Sequence, residues 1–503
     1  LTVQQQAALE RIVESLDKRD AETILLHGVT GSGKTEVYLQ AIQRCLELER
    51  QAIVLVPEIS LTPQTCDLFR QRFGNLVSVL HSGLSDGERF DEWNRINDGR
   101  SPIAIGARSA IFAPLRNLGL IIVDEEHENS YKQEEVPRYH ARDVAVVRGK
   151  LERATILLGS ATPSLETYHN CRQKRYTLLT LPERIDCRPM PQVELIDMTQ
   201  EKALTGKASI FSQRLVTQIR DRLERGEQTM IFLNRRGFAS QMQCTHCGYV
   251  ATCENCSITY TYHRKEEFLL CHLCGAQQKA PEKCPKCGDP NIRYAGFGTE
   301  KIESVTRALF PQALVARMDS DSMTSKDSYR KVLDAFRSGH INILVGTQMI
   351  AKGLDFPNVT LAGLIQADLA LNLPDFRSGE RTFQLITQMA GRAGRGDNPG
   401  LVIVQTYTPY HFALQAAQKH DFLEFYEAEM PSREALDFPP FSRLLMIHFR
   451  GTEEAQVSAT AEKFAADLQP LLDTSVQVIG PMPAPLAKIN KYFRYQLLLR
   501  GHH

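Results

Sequence analysis

The chain has 503 residues, with 59 Lys+Arg against 59 Asp+Glu and 43% apolar residues, so it carries no formal net charge at pH 7. That length and composition predict about three globular domains and exclude dominant disorder. The neutral balance excludes coating of nucleic acid by bulk charge, so any nucleic-acid site must be local.

No apolar run approaches the roughly 18 residues of a bilayer-spanning helix, so no membrane partner is expected. The chain starts at Leu1 rather than Met, shows no leader and ends at His503, and it reads as a fragment of something longer. Its first half alternates β-rich runs at Thr23–Leu26, Ala52–Val56, Ile103–Gly106, Leu118–Val123 and Thr155–Leu158 with helical stretches. A second series follows at Val193–Met198, Thr229–Leu233, Leu314–Met318, Ile341–Val345, Val359–Ile365 and Leu401–Thr406. Alternation of this kind predicts βαβ units and parallel sheets, hence two α/β lobes. A polar, turn-rich, cysteine-bearing block interrupts the second series. After Pro409 the pattern changes to a strand at Leu444–Phe449, a helix over Thr452–Leu472 and a strand at Tyr495–Leu499, as in a small α+β domain. The single tryptophan, Trp93, is expected in a core.

Gly28-Val29-Thr30-Gly31-Ser32-Gly33-Lys34-Thr35 fits the phosphate-binding loop pattern and stands between a strand and a helix, as that pattern requires. Glycines let successive N–H groups curl around phosphate, the helix N-terminus favours negative charge, Lys34 reaches the β/γ oxygens of ATP and Thr35 faces Mg²⁺. A carboxylate at the end of a neighbouring strand is the necessary complement, and Leu118–Val123 leads directly into Asp124, Glu125, Glu126 and His127. Asp124 is expected to hold Mg²⁺ through water, and Glu125 to orient or deprotonate the attacking water.

Asp-Glu-Glu-His beside this loop resembles the DExH group of superfamily 2 helicases. Pro57–Leu61, Gly106–Ala110, Gly159–Thr162, Val345–Asp355 and Gln388–Arg395 resemble further motifs of that group. The likeness implies strand contact through Arg108, and catalysis by Gln388 with Arg392 and Arg395, one turn apart on a helix, as arginine fingers from the second lobe. It also implies that Gln5, in Leu1-Thr2-Val3-Gln4-Gln5, reads adenine.

Eight of the 12 cysteines form four Cys-x-x-Cys pairs: Cys244/Cys247, Cys253/Cys256, Cys271/Cys274 and Cys284/Cys287. Two four-cysteine Zn²⁺ sites are the direct reading, with disulfides or an iron–sulfur cluster as alternatives. From Cys244 to Arg293 there are six Lys+Arg and five Asp+Glu, so with thiolates and two Zn²⁺ the block is acidic rather than a phosphate stripe. It is expected to act through shape, protein contact or stacking by Tyr249, Tyr260, Tyr262, His263 and Phe268, or simply to hold a coreless insertion together.

Leu233–Phe238 leading into the cysteine pairs, Gly298-Thr299-Glu300, Ala351–Pro357 and Asp368–Arg377 take the resemblance further, over essentially the whole chain, to the PriA family of bacterial replication-restart helicases (primosomal protein N′). This implies two P-loop helicase lobes, over 1–182 and over 183–243 with 294–410, a zinc-binding insertion at 244–293 and a DNA-binding α+β domain at 411–503. It implies ATP-dependent 3′→5′ unwinding of DNA at stalled forks and the start of primosome assembly, in the bacterial cytoplasm at the nucleoid. Implied partners are forked and single-stranded DNA, single-strand DNA-binding protein, PriB and DnaT. The outer cysteine pairs would share one zinc and the inner pairs the other. His127 and the loop bearing Tyr131, Lys132, Arg138, Tyr139 and Arg142 would couple DNA to ATP hydrolysis, and Lys488, Lys491, Tyr492, Arg494 and Tyr495 resemble the terminal DNA-binding surface. The family's amino-terminal DNA-binding region is missing from this sequence. A catalytically dead scaffold and a DExH RNA helicase or duplex translocase are the competing readings.

Overall fold

The computed structural model describes residues 1–502 apart from 58–62, 186–188, 207–208, 234–241, 245, 256–257, 264–266, 272–274, 291, 294–298, 320–325, 348–349, 351–355 and 395–398. Leu1–Pro189 makes one compact unit and the chain from Met190 makes a second.

In the first unit the described residues form a seven-stranded sheet, β1 (Thr23–Gly28), β2 (Gln51–Leu55), β3 (Val77–Leu80), β4 (Ile103–Gly106), β5 (Leu118–Asp124), β6 (Thr155–Ser160) and β7 (Thr177–Leu181), in the order β3-β4-β2-β5-β6-β1-β7. Every pairing is parallel. Strands covered on both faces read as unbroken apolar runs, which is why β1, β2 and β5 stand out in the sequence. Their side chains, Ile24, Leu26, Val54, Leu120 and Ile122, join Ile12 and Leu16 of helix α1 (Val3–Lys18) and Val37, Tyr38 and Ile42 of helix α2 (Lys34–Glu47) in one core. A capping box starts α1: Thr2 accepts from the Gln5 N–H and the Gln5 side chain accepts from the Thr2 N–H. Trp93 departs from its expected place. It lies on the helix Asp86–Asn97 and is 41% exposed, with Phe90 one turn earlier 65% exposed.

In the second unit β8 (Gln192–Asp197), β9 (Gln228–Leu233), β15 (Val315–Met318), β16 (Ile343–Gly346), β17 (Val359–Ile365) and β18 (Leu401–Thr406) form a parallel sheet in the order β15-β16-β9-β17-β18-β8. Between β9 and β15 the chain builds short antiparallel pieces, β10 (Gln243–Cys244) with β14 (Ile292–Arg293), and β11 (Thr261–His263), β12 (Phe268–Leu270) and β13 (Gln277–Lys279). This cysteine-rich region has its own small core of Met242, Ala251, Ile258, Tyr260 and Leu269. Tyr260 is therefore interior, and Tyr249 and Tyr262 pack against that core rather than standing free for stacking.

The carboxy-terminal sheet has the order β19-β21-β20, from β19 (Arg443–Gly451), β20 (Gln477–Ile489) and β21 (Tyr492–Gly501), all antiparallel, with the helix Glu454–Leu468 packed on it. β20 is absent from the sequence reading for a physical reason. Pro481, Pro483 and Pro485 interrupt its ladder, its register shifts twice, and it lies at the sheet edge where proline is tolerated.

Candidate nucleotide site and zinc centre

The phosphate loop joins the end of β1 to the start of α2. Gly31 and Gly33 have φ of +85° and +78°, a region open to glycine at little cost, and this turns the amides inward. Lys34 is buried and its Nζ donates to the Gly28 carbonyl at 2.8 Å. Ser32 Oγ is buried with no hydrogen-bond partner among the described residues. Gln5 supports the loop from outside: its Nε2 donates to the Ser32 carbonyl at 2.9 Å while its Oε1 accepts from the Thr2 N–H. At 3% exposure and with both ends of the amide engaged, Gln5 braces the loop.

Two strands over, β5 ends in Asp124, whose Oδ1 accepts from the Tyr38 hydroxyl of α2 at 2.9 Å. Burial, then the charge of Glu125, pushes the Asp124 carboxyl up to about 6, against the pull of Lys34. Glu125 has φ +45°, a strained region for a non-glycine residue, and its Oε2 is buried without a hydrogen-bond partner among the described residues. An unsatisfied carboxylate oxygen, an unsatisfied serine hydroxyl and a lysine on one P-loop face suit a Mg²⁺–nucleotide. His127 Nδ1 meets Ser160 Oγ at 2.7 Å, and that oxygen also accepts from the Thr162 N–H at 2.9 Å, so the acidic motif and the Gly159–Thr162 motif are in direct contact. Sequence reasoning missed Tyr38; its signal was a tyrosine on the second turn of α2 above a strand ending in aspartate.

The loop after His127 departs from expectation in two places. Tyr131 is fully buried, donating to the Asp124 and Leu55 carbonyls at 2.6 and 3.1 Å, so its ring is not offered to bases. Arg142 is sequestered on the Glu126 carboxylate at 3.0 Å and the Ser164 hydroxyl at 2.6 Å, which makes it a structural cation. Arg108 donates to the Ser130 and Lys132 carbonyls and so shapes the loop. Lys132 and Arg138 remain exposed, and Tyr139 is half-buried with its ring edge-on to exposed Phe112 at 5.1 Å.

In the second unit Gln388 lies on the helix Ser378–Ala390, capped by Gly391. Arg392 therefore sits in the turn beyond the helix, not on it, because the cap glycine ends the helix first. Arg395 lies outside the described residues, as do Gln348, Gly353, Leu354 and Asp355. The same helix is tied to its neighbour by a buried cluster, Arg433 to Glu380 at 2.7 Å and to Glu429 at 3.0 Å.

Cys244, Cys247, Cys284 and Cys287 bring their sulfurs within 4.8 Å of one another, with Cys244–Cys287 at 3.7 Å and Cys247–Cys284 at 3.6 Å. Ligands about 2.3 Å from a tetrahedral zinc stand about 3.8 Å apart, so the set fits that ion. Each knuckle closes on a left-handed glycine: Gly248 N–H donates to the Cys244 carbonyl and Gly288 N–H to that of Cys284. Gly275 repeats the turn on Cys271. Cys253 and Cys271 are buried in the region's core, while Cys256 and Cys274 lie outside the described residues.

Residues 2–171 match the DEAD/DEAH box helicase family and 298–397 the helicase conserved C-terminal domain. Residues 253–279 match the PriA DNA helicase Cys-rich region domain, and 434–503 the primosomal protein N C-terminal domain. The chain is similar to the replication restart protein PriA of Bacillus subtilis, 48% identical over 99% of this chain and 62% of that one. It is also similar to the PriA proteins of Synechocystis, 46% identical over 95% and 58%, and of Treponema pallidum, 44% identical over 100% and 75%. It thus spans less than two thirds of the first two relatives. Among solved structures, RecG bound to a three-way DNA junction (18% identity, TM-score 0.50, 86% of this chain and 46% of that one) shares the fold. So does the DEAD-box helicase Mss116 bound to single-stranded RNA (15% identity, TM-score 0.50, 93% and 82%). No described helix is long and apolar enough to cross a membrane.

Proposed function

The chain belongs to the PriA family, and from that premise we propose that it is an ATP-dependent 3′→5′ DNA helicase. Its task would be to unwind DNA at stalled or abandoned replication forks and to initiate primosome assembly, in the bacterial cytoplasm at the nucleoid. The observation that carries the reading is the strained Glu125 beside Asp124, its buried Oε2 3.7 Å from His127 Nδ1 and without a hydrogen-bond partner among the described residues.

In this reading the amides of Gly31 to Thr35 and Lys34 Nζ bind the β- and γ-phosphates. Asp124 and Thr35 would hold Mg²⁺, which when bound supplies charge neutralisation at the phosphates. Glu125 takes the proton of the attacking water, and His127 passes the state of that site to Ser160 and so to the motif at Gly159–Thr162. Gln388, Arg392 and Arg395 stabilise the charge that develops on the γ-phosphoryl group. Lys132, Arg138 and Tyr139 contact single-stranded DNA, and Lys488, Lys491, Tyr492 and Arg494 add a second surface. Two zinc ions, one on the outer and one on the inner cysteine pairs, stabilise the cysteine-rich region. Partners would be forked and single-stranded DNA, single-strand DNA-binding protein, PriB and DnaT. Strand displacement on 3′-tailed and 5′-tailed DNA and on 3′-tailed RNA, with metal analysis of the same sample, tests the reading. ATP-dependent displacement confined to 3′-tailed DNA is expected; displacement of RNA alone, or none with any substrate, would overturn it.

A further inference from the structure

The segment that leaves β7 does not depart from the phosphate loop at once. The Val29 N–H donates to the Leu181 carbonyl at 3.1 Å, and the Ile185 N–H donates to the Gly31 carbonyl at 3.0 Å. Two backbone hydrogen bonds thus fasten Leu181 to Ile185 along the loop's rim. A side chain on Gly31 would meet the Arg184 guanidinium at 3.2 Å, and one on Gly33 would meet Ile185 Cδ1 at 2.6 Å, so both side chains lie directly on the loop's glycines. Ile185 is nevertheless 57% exposed, an apolar side chain held in place at the mouth of a phosphate site. Gln5, the other group at this rim, is buried and occupied with Ser32.

Sheet order decides what part of a nucleotide would reach this rim. In β5-β6-β1-β7 the phosphate loop follows β1, with Asp124 and Glu125 on the β5 side and Arg184 and Ile185 on the β7 side. A nucleotide whose γ-phosphate points to Glu125 must run its ribose and base toward β7. An exposed aliphatic side chain and a planar guanidinium are what a heterocyclic base stacks on.

We propose that Arg184 and Ile185 form the nucleobase wall of the nucleotide site, and that Gln5 serves that site only by bracing Ser32; this rests on the reading of Gly28–Thr35 as the phosphate-binding loop. The wall binds the base and leaves the phosphates untouched, so the two contributions separate when a ligand lacks a base.

The test is calorimetric binding of Mg²⁺–ADP and of Mg²⁺–tripolyphosphate to the zinc-loaded chain. Ile185→Ala and Arg184→Ala should each weaken ADP about tenfold while tripolyphosphate stays within about twofold, and Ile185→Leu should restore ADP. Gln5→Ala should weaken both ligands in parallel, as a distorted loop would. Unchanged ADP affinity in both rim variants, or a parallel loss of tripolyphosphate, overturns the proposal. A wild-type chain that binds neither ligand overturns the phosphate-loop reading itself.

Discussion

The hydroxyl of Tyr38 donates to Asp124 Oδ1 at 2.9 Å, and it reaches that carboxylate across Gly159, where a Cβ would lie 1.7 Å from the tyrosine oxygen. One contact thus joins the helix of the phosphate loop, the end of β5 and the end of β6. A hydrogen bond to a charged acceptor contributes about 1.5–3 kcal/mol and holds the Asp124 carboxyl down against burial. Tyr38→Phe removes it directly, and Gly159→Ala displaces the ring. Both variants should move the acid limb of the ATPase pH profile upward, in the same direction and with folded circular dichroism spectra. A fall in rate with an unmoved acid limb would assign Tyr38 to packing alone.

Glu125 combines a left-handed backbone with a buried oxygen that has no hydrogen-bond partner among the described residues, the signature of a group held for a reaction rather than for stability. Glu125→Gln keeps the shape and removes the base. Steady-state ATP hydrolysis should drop by about 10²–10⁴-fold while Mg²⁺–ADP affinity is kept. Wild-type turnover in that variant would transfer the role to another residue.

The loop from Glu128 to Arg142 shows where sequence reasoning holds and where it stops. The alternation of aromatic and basic residues is legible, and so are the strand ends that place Lys34, Asp124 and Glu125. What the pattern could not distinguish was an aromatic side chain offered to solvent from one, like Tyr131, whose hydroxyl ties the ends of β2 and β5 together. Burial depends on the Leu55 and Asp124 carbonyls converging, which is a property of the sheet and not of the loop. The same holds for Arg142, whose partners come from two separate segments, Glu126 after β5 and Ser164 with Thr167 at the start of the helix Leu165–Arg172. β20 was hidden by its prolines, and Trp93 was misplaced because a lone tryptophan carries no periodicity.

Those different environments predict different phenotypes along one loop. Arg142→Ala strands the fully buried Glu126 carboxylate, and losing one partner of a buried pair costs about 3–5 kcal/mol. Its urea midpoint should fall accordingly. Arg138→Ala and Lys132→Ala, at exposed positions, should leave the midpoint unchanged and lower the stimulation of ATPase by single-stranded DNA. The opposite pattern, a stable Arg142→Ala chain with lost stimulation, would restore Arg142 to the DNA surface.

Acid sensitivity follows from half-buried histidines. Burial pulls His27, His140 and His411 each down to about 4, from an unfolded value near 6.5. Between those values the unfolded chain takes up protons that the fold excludes, so stability falls as pH drops from about 6.5 to about 4, by about 1.4 kcal/mol per pH unit for each histidine. Asp124, raised to about 6, works the other way: its contribution is lost as pH rises through about 6. His411 Nδ1 accepts from the Ala413 N–H at 3.2 Å, and His411→Asn retains a capping acceptor while removing the titration. Urea denaturation across this window should show a wild-type slope steeper than that of the variant by about 1.4 kcal/mol per pH unit. Parallel curves would remove His411 from the account.

 The sulfurs of Cys244, Cys247, Cys284 and Cys287 come from two knuckles that are 37 positions apart at their closest, from Cys247 to Cys284, and the fold brings all four within 4.8 Å of one another. With so small a core, the cysteine-rich region depends on its ligands for folding free energy. Wild-type chain should carry two zinc ions by atomic emission, and Cys287→Ser, at the exposed ligand, should carry one. Removal of metal by chelator should lower the urea midpoint of the second unit, and restored zinc should return it. A wild-type zinc content of one, kept in Cys287→Ser, would remove the outer cysteines from the metal and leave the ion to the inner pairs. A colourless sample is expected in either case, since an iron–sulfur cluster absorbs in the visible and zinc does not.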